Sequence, residues 1–177
     1  MRSAIRTVEK RCEMSTAILP LVSSANRRNT SYSARASSDA VGSSRIRTWA
    51  SRSLALTPEH VNTFARLTGD YNPLHFDPEF AARTRFGKLV VQGGLTTGLL
   101  HALVAMDLPG PGTVFLSQSW KFTAPVYIGD TITAEAEIVS VHASKPVYQL
   151  KVRVTRQTGE TVLEGEAWCY RLGPDDR

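Results

Sequence analysis

The chain has 177 residues, 42% of them hydrophobic, and a formal charge of +5, which fits one globular domain or one domain with an appendage. No uninterrupted apolar run approaches the length of a membrane span. No Cys-x-x-Cys or His-x-x-x-His pair occurs, so we expect no disulfide framework, no metal and no other cofactor. Residues 1–47 hold nine basic residues against three acidic ones, and the remainder has a net charge of −1. The basic balance therefore gives no reason to expect that the folded part binds nucleic acid.

Residues 1–47 differ from the rest of the chain in composition. They are rich in Arg and Ser, poor in acids, and lack a sustained hydrophobic period. This composition fits a mitochondrial or plastid transit peptide, and it equally fits a disordered extension or an upstream stretch translated only in a gene model. We therefore predict a disordered leader at 1–47 and a single folded domain at 48–177. The protein is expected in the cytoplasm, or in the mitochondrial matrix if the leader is a genuine transit peptide.

The first predicted elements are a strand over 48–56 and a helix that begins at Thr57. Thr57 is an N-cap residue, and proline and glutamate follow it in the first turn. An apolar stripe continues the helix until Gly69 ends it. The stripe consists of Val61, Phe64, Ala65 and Leu67. A second, short helix is predicted from Asp77 to about Arg83. Asp77 is its N-cap residue, and proline and glutamate follow, as they do in the first helix.

Between these two helices, the loop at 68–76 places an acid, an amide and an imidazole within six residues. Gly69 and the Asn72-Pro73 pair are expected to keep the chain out of regular helix, so that Asp70, Asn72 and His75 can point at one place. Carboxylate and imidazole are the usual proton-transfer groups, and an amide can orient a water molecule. The alternative is a purely structural turn, because Gly, Asp, Asn and Pro are ordinary turn residues.

The next predicted element is a helix from Leu95 to Met106 that is apolar on nearly every side, which is typical of a helix in the middle of a core. Gly93 and Gly94 precede it and leave backbone N–H groups accessible at its positive end. The alternative is that the two glycines only permit close packing. His101, inside this helix, is predicted to be a satisfied core histidine.

The last part of the chain reads as strands. Apolar and polar residues alternate over 131–138 and 148–154, and a hairpin connection at 157–160 leads to a last strand at 161–171. An antiparallel sheet that curls around one apolar helix buries both, so the fold class is α+β.

Three motifs together resemble the MaoC-like dehydratases, and the single-domain (R)-specific enoyl-CoA hydratases in particular. They are the run from Gly69 to His75 (GDYNPLH), the sequence Val91-Gln92-Gly93 that opens the apolar helix, and the run from Phe122 to Asp130 (FTAPVYIGD). The resemblance spans residues 48–171, and three such motifs in the same order are specific to the family.

The resemblance implies a hot-dog fold, in which a curved antiparallel sheet wraps a long central helix, and a homodimer. It implies reversible hydration of trans-2-enoyl thioesters of CoA, or of an acyl carrier protein, to (R)-3-hydroxyacyl thioesters. By position, Asp70 and His75 match the catalytic pair, Asn72 lies in the same motif, and Gly93 matches the glycine whose N–H binds the thioester oxygen. Gly94 is a further candidate for substrate binding. Gln92 departs from the family, which usually has histidine there.

Two alternatives remain at this point, a hot-dog thioesterase and a non-catalytic module that binds acyl thioesters. The combination of Asp70, Asn72 and His75 argues against both. Four cations could meet the phosphates of a CoA or carrier-protein arm, or could be solvated surface charge. These cations are Arg83, Arg85, Lys88 and Lys121.

Overall fold

The computed structural model describes residues 48–173, so the leader predicted at 1–47 lies outside the described residues. The chain forms four helices and five strands in this range. The helices are α1 (Pro58–Thr68), α2 (Pro73–Phe76), α3 (Pro78–Ala82) and α4 (Gly93–Met106), and the strands are β1 (Trp49–Ala55), β2 (Thr113–Phe122), β3 (Thr131–Val141), β4 (Val147–Arg156) and β5 (Thr161–Arg171).

The five strands form one antiparallel sheet in the order β1-β3-β4-β5-β2. The alternation predicted for β3 and β4 is confirmed, since Ile132, Ala134 and Ala136 are buried and their neighbours are less so. The predicted hairpin at 157–160 connects β4 to β5, with Gly159 at φ 83°. This positive φ is strained for a side-chain-bearing residue, which explains a glycine there.

Helix α4 lies against β3 and β1, with further contacts to β2 and β4. Leu99, Leu100, Leu103 and Val104 are its main buried side chains, and removing each of them from water contributes about 1.5–3 kcal/mol. The sheet and the central helix are those of the predicted α+β hot-dog fold. The helix begins at Gly93, two residues before the predicted start, so both glycines belong to its first turn.

The opposite face of α4 is open in the protomer, which corrects one prediction. His101 is exposed, its Nε2 lies 3.3 Å from the Oε1 of Gln118, and its ring lies 5.0 Å from that of Phe115. The expectation of a core histidine was wrong because the sheet covers only one side of the helix. An all-round apolar pattern does not reveal which side stays uncovered.

Helix α1 begins and ends as predicted, but its apolar stripe is narrower. The Thr57 hydroxyl accepts a hydrogen bond from the His60 N–H, and Gly69 ends the helix in the left-handed conformation at φ 78°. Val61 and Ala65 are buried, whereas Leu67 is 83% exposed. Leu67 lies six residues after Val61. A residue returns to the same face of a helix only after whole turns of 3.6 residues, and six residues fall short of two turns, so Leu67 lies outside the stripe that contains Val61.

The loop predicted at 68–76 contains a short helix, α2, which corrects the expectation that proline keeps this stretch irregular. Asn72 is the N-cap of α2 and Pro73 its first residue. The same pairing starts α1 at Thr57-Pro58 and α3 at Asp77-Pro78. Proline is favoured at the first helical position because its missing N–H has no partner there in any case.

Candidate active site

Asp70 and His75 come together at the start of α2. The Oδ2 atom of Asp70 lies 3.7 Å from the Nε2 atom of His75, and their side chains are 40% and 11% exposed. This distance is too long for a direct hydrogen bond. A water molecule beside the pair can contact both atoms.

The backbone of Val90 fixes the orientation of the His75 ring. The Nδ1 atom of His75 lies 2.7 Å from the carbonyl oxygen of Val90, and the Val90 N–H donates to the Leu74 carbonyl at 3.1 Å. A carbonyl oxygen can only accept, so Nδ1 must carry the hydrogen. The Nε2 atom that faces Asp70 is therefore the one free to accept or release a proton.

The loop from Thr68 to Asn72 places Asp70 through local hydrogen bonds. The Thr68 hydroxyl accepts from the Asp70 N–H at 3.3 Å, and the Asp70 Oδ1 accepts from the Asn72 N–H at 3.3 Å. Oδ1 is held by the backbone hydrogen bond, and Oδ2 is the oxygen that faces His75. The bond at Oδ1 thus helps to keep Oδ2 directed at His75.

Asn72 has a structural task in this arrangement. Its Oδ1 accepts from the Leu74 N–H at 3.0 Å and caps α2. Asn72 is exposed, and its side-chain oxygen is already engaged. The structure brings Asp70 and His75 together and places Asn72 beside them as the cap of the helix that carries His75. Its predicted catalytic role stays a prediction.

Gly93 lines a cavity of about 400 Å³, and its neighbour Gly94 does not. The cavity lining also includes Arg85, Val90 and Thr96 and the stretch from Phe122 to Val126. Gly93 is the first residue of α4, so its N–H has no acceptor within the helix and lies at the positive end of the dipole. The predicted role of Gly93 as donor to the substrate oxygen stays a prediction.

Gly94 packs against α1. A Cβ atom at Gly94 would lie 2.2 Å from the Cζ atom of Phe64, whereas one at Gly93 would lie 3.2 Å from the Phe122 ring. Phe64 therefore occupies the space that any side chain at position 94 would need. The packing alternative accounts for Gly94, and its predicted part in substrate binding stays a prediction.

The cavity and the Asp70–His75 pair meet at Val90. Val90 lines the cavity, and its carbonyl oxygen bonds to His75, while Asp70 and His75 themselves do not line the cavity of the single protomer. Val90 thus belongs both to the cavity that Gly93 lines and to the support of the His75 ring. Nothing in the sequence signalled Val90, because its contribution is a backbone carbonyl.

Gln92, the departure from the family pattern, is buried. It is 1% exposed, its Nε2 donates to the Val61 carbonyl at 3.2 Å, and its Oε1 has no hydrogen-bond partner within residues 48–173. The side chain thereby joins the start of α4 to the middle of α1. Gln92 braces the segment that carries Gly93 through this single hydrogen bond.

Two other ionisable groups, Asp130 and Cys169, lie in environments that indicate a structural role. Asp130 accepts from the Tyr127 N–H at 2.9 Å, in the turn that contains Gly129. Burial raises the pKa of the Cys169 thiol to about 11.

Within residues 48–173, no three His, Cys, Asp or Glu side chains lie where they could hold a metal ion. No helix in that range is long and apolar enough to cross a membrane.

Residues 45–162 match the family model described as MaoC like domain. This chain belongs to the MaoC-like family. The (R)-specific enoyl-CoA hydratase of Aeromonas caviae is 43% identical over 107 residues, or 60% of this chain and 80% of that protein. A mitochondrial 3-hydroxyacyl-(acyl-carrier-protein) dehydratase of Solanum lycopersicum is 39% identical over 106 residues, or 59% of this chain and 63% of that protein.

The fold of this MaoC-like protein also matches a solved structure. The (R)-hydratase from A. caviae involved in polyhydroxyalkanoate biosynthesis aligns with a TM-score of 0.69 at 37% identity, covering 75% of this chain and 100% of that one. The predicted family and hot-dog fold are confirmed.

Proposed function

We propose that this MaoC-like protein is a lyase that catalyses the reversible hydration of trans-2-enoyl thioesters to (R)-3-hydroxyacyl thioesters in fatty acid metabolism. The observation that carries the proposal is the 3.7 Å spacing of Asp70 and His75, with the ring orientation fixed by Val90. The named activities of the A. caviae hydratase and the S. lycopersicum dehydratase support it.

The Asp70–His75 pair activates the water. The water oxygen forms a bond to C3 of the enoyl group, one of its hydrogens stays on the new hydroxyl, and the other passes to the pair as a proton. Electrons from the C2–C3 double bond move onto the thioester as an enolate, and the pair then returns a proton to C2. The two groups share one water and act as a coupled unit, so neither is assigned as sole base or sole acid.

Gly93 stabilises the negative charge that builds on the thioester oxygen. Its N–H lies at the positive end of α4, and a hydrogen bond from such a donor strengthens as the oxygen becomes an oxyanion. Loss of one such donor typically costs about 2.7–4 kcal/mol of barrier. The donor is a backbone group, so the chemistry does not depend on whether position 92 is glutamine or histidine.

The active unit is a homodimer in this proposal, formed along the β2 edge of the sheet. Within residues 48–173, β2 pairs with β5 on one side only, and Val114, Leu116 and Phe122 are 47%, 58% and 55% exposed. An apolar edge strand is a template for pairing with a second copy, which would continue the sheet. Light scattering should give twice the chain mass, and a fully active monomer would contradict the dimer.

The carrier of the acyl group is CoA or an acyl carrier protein. The A. caviae relative is named for a CoA substrate and the S. lycopersicum relative for a carrier-protein substrate. Carrier-protein docking is therefore part of the proposal for this chain.

The proposal is tested by a spectrophotometric assay of the purified full chain on crotonyl-, hexenoyl- and decenoyl-CoA. Loss of the enoyl absorbance together with an (R)-3-hydroxyacyl product on chiral analysis is the expected result. Release of free CoA thiol without hydration would instead indicate a thioesterase. Tight binding without turnover would indicate a non-catalytic module.

A further inference from the structure

We infer that Arg85 and Lys88 bind the phosphate that ends the pantetheine arm of the thioester substrate. The inference rests on the proposed function and adds the site that holds the charged end of the substrate. Its starting observation is a segment of six residues, 83–88, with three exposed cations. These cations are Arg83, Arg85 and Lys88.

The three cations lack acidic partners, unlike several other cations of the fold. Arg66, Arg153 and Arg156 each lie within 4.0 Å of a carboxylate. No carboxylate of residues 48–173 lies that close to Arg83, Arg85 or Lys88. The remainder of the chain after residue 47 has a net charge of −1, so the unneutralised cations form a local feature rather than part of a generally basic surface.

Aromatic rings hold two of these cations in place. The Nζ atom of Lys88 lies 4.1 Å from the centroid of the Tyr127 ring, and the Cζ atom of Arg85 lies 5.1 Å from that of Phe86. The Tyr127 hydroxyl donates to the Phe86 carbonyl at 3.4 Å, which joins the two ring supports. A ring face positions a cation without neutralising it, so the N–H groups stay available to an anion.

Of the two supported cations, Arg85 lines the cavity that contains Gly93, and Lys88 lies three residues further along the chain. Arg85 and Phe86 line it directly, and Lys88 lies two residues before Val90, which also lines it. A thioester whose carbonyl oxygen contacts the Gly93 N–H has its pantetheine arm on one side of the sulfur. The pantetheine arm carries no charge before its terminal phosphate. The phosphate is therefore the only group of the arm with which a cation along the cavity can form an ion pair.

CoA and the prosthetic group of a carrier protein share this terminal phosphate. Three crotonyl thioesters separate the contributions: crotonyl-pantetheine has no phosphate, crotonyl-4′-phosphopantetheine has only the shared phosphate, and crotonyl-CoA adds the remaining phosphates of CoA. The experiment compares steady-state kinetics of the full-length wild type and the Arg85→Gln/Lys88→Gln double variant on all three. Lys145→Gln is the matched control, since Lys145 is exposed in the β3–β4 connection and does not line the cavity.

In the double variant, KM for the two phosphorylated substrates should rise about tenfold, which corresponds to about 1.4 kcal/mol, with kcat changed less than twofold. KM for crotonyl-pantetheine should not change, and the Lys145→Gln variant should match the wild type on all three substrates. Raising the salt concentration should weaken the wild type on phosphorylated substrates more than the double variant, because salt screens the contact.

Equal KM values for wild type and double variant on every substrate would overturn the inference and leave these cations as solvated surface charge. An equal rise on all three substrates, crotonyl-pantetheine included, would overturn it too, because it would indicate a distorted cavity. A rise with crotonyl-CoA alone would place the contact on the other CoA phosphates and also overturn it. Absence of hydration of any substrate by the wild type would instead contradict the proposed function.

Discussion

The imidazole of His75 donates its Nδ1 hydrogen to the carbonyl oxygen of Val90 across 2.7 Å. Fifteen residues separate the two in the chain, and the bond decides the chemistry available at the ring. Because a carbonyl has no hydrogen to donate, it selects the tautomer in which Nε2 carries the free lone pair. That atom lies 3.7 Å from the Asp70 carboxylate.

Asp70 and His75 should fail as a unit when either is replaced. Asp70→Asn keeps the size of the side chain but removes the basic carboxylate, and His75→Ala removes the other proton-transfer group. Each change should lower turnover by about 10²–10⁴-fold. The double variant should be little worse than the poorer single variant, because both groups serve one water. Single-turnover and steady-state rates on crotonyl-CoA measure these effects.

His142→Ala is the control for the pair. His142 is exposed, and its Nδ1 accepts from the Ser144 N–H in the β3–β4 connection. This variant should retain wild-type turnover. Near-native turnover of Asp70→Asn or His75→Ala on every enoyl thioester would reduce the 70–75 stretch to a structural turn.

Gly94→Ala should destabilise the fold because of Phe64. The added Cβ would lie 2.2 Å from the Phe64 ring, and relieving such overpacking typically costs about 1–3 kcal/mol. Chemical unfolding of Gly94→Ala, Phe64→Ala and the double variant gives the coupling between the two positions. The Gly94→Ala change should cost less in the Phe64→Ala background than alone. Strictly additive effects would show that the ring does not cause the loss.

Gln92→Glu should destabilise more than Gln92→Met. Gln92 is 1% exposed and donates to the Val61 carbonyl at 3.2 Å. Glutamate would bury a carboxylate beside that carbonyl with no donor between them, and buried unpaired groups cost about 1–3 kcal/mol, more when charged. Methionine removes the donor but adds no charge. Urea unfolding at pH 7 measures both, and a Gln92→Glu variant as stable as the wild type would contradict the buried environment.

Asp130 should make stability depend on pH below about pH 4. Burial alone raises its pKa, but hydrogen bonds from Gln157 and the Tyr127 N–H, with the charge of Arg156, outweigh burial and hold the pKa below its ordinary value of 3.8. A lowered folded-state pKa means that the ionised carboxylate favours the folded state. This contribution is complete above pH 3.8 and is lost as the pH falls through the folded-state pKa.

The Asp130→Asn variant isolates that contribution. At pH 7 it should be less stable than the wild type by about 1.5–3 kcal/mol, the range for hydrogen bonds that involve charged groups. The difference should narrow as the pH falls below 3.8, because the wild-type carboxylate then becomes neutral as well. Thermal unfolding at intervals from pH 7 to pH 2.5 measures both curves, and a constant difference would contradict the assigned pKa direction.

Local features of the fold could be predicted from sequence because they depend on neighbours within a few residues. Thr57 and Asp77 cap helices as predicted, Gly69 ends α1, and β3 shows the predicted alternation. Asp70 and His75 lie only five residues apart, so a kinked connection was enough to bring them together. The same local logic accounts for the helix start at Asn72-Pro73, so the irregular loop predicted there is wrong.

The sequence by itself determined the family, the order of the elements and the two side chains that face each other at the candidate site. Only the tertiary structure decided which face of α4 is covered, so that His101 lies exposed, and that Gln92 is buried against Val61. It also decided that Val90, through its carbonyl, orients His75. These outcomes depend on which distant segments pack together, and a backbone carbonyl is the same at every residue, so no residue type marks them in advance.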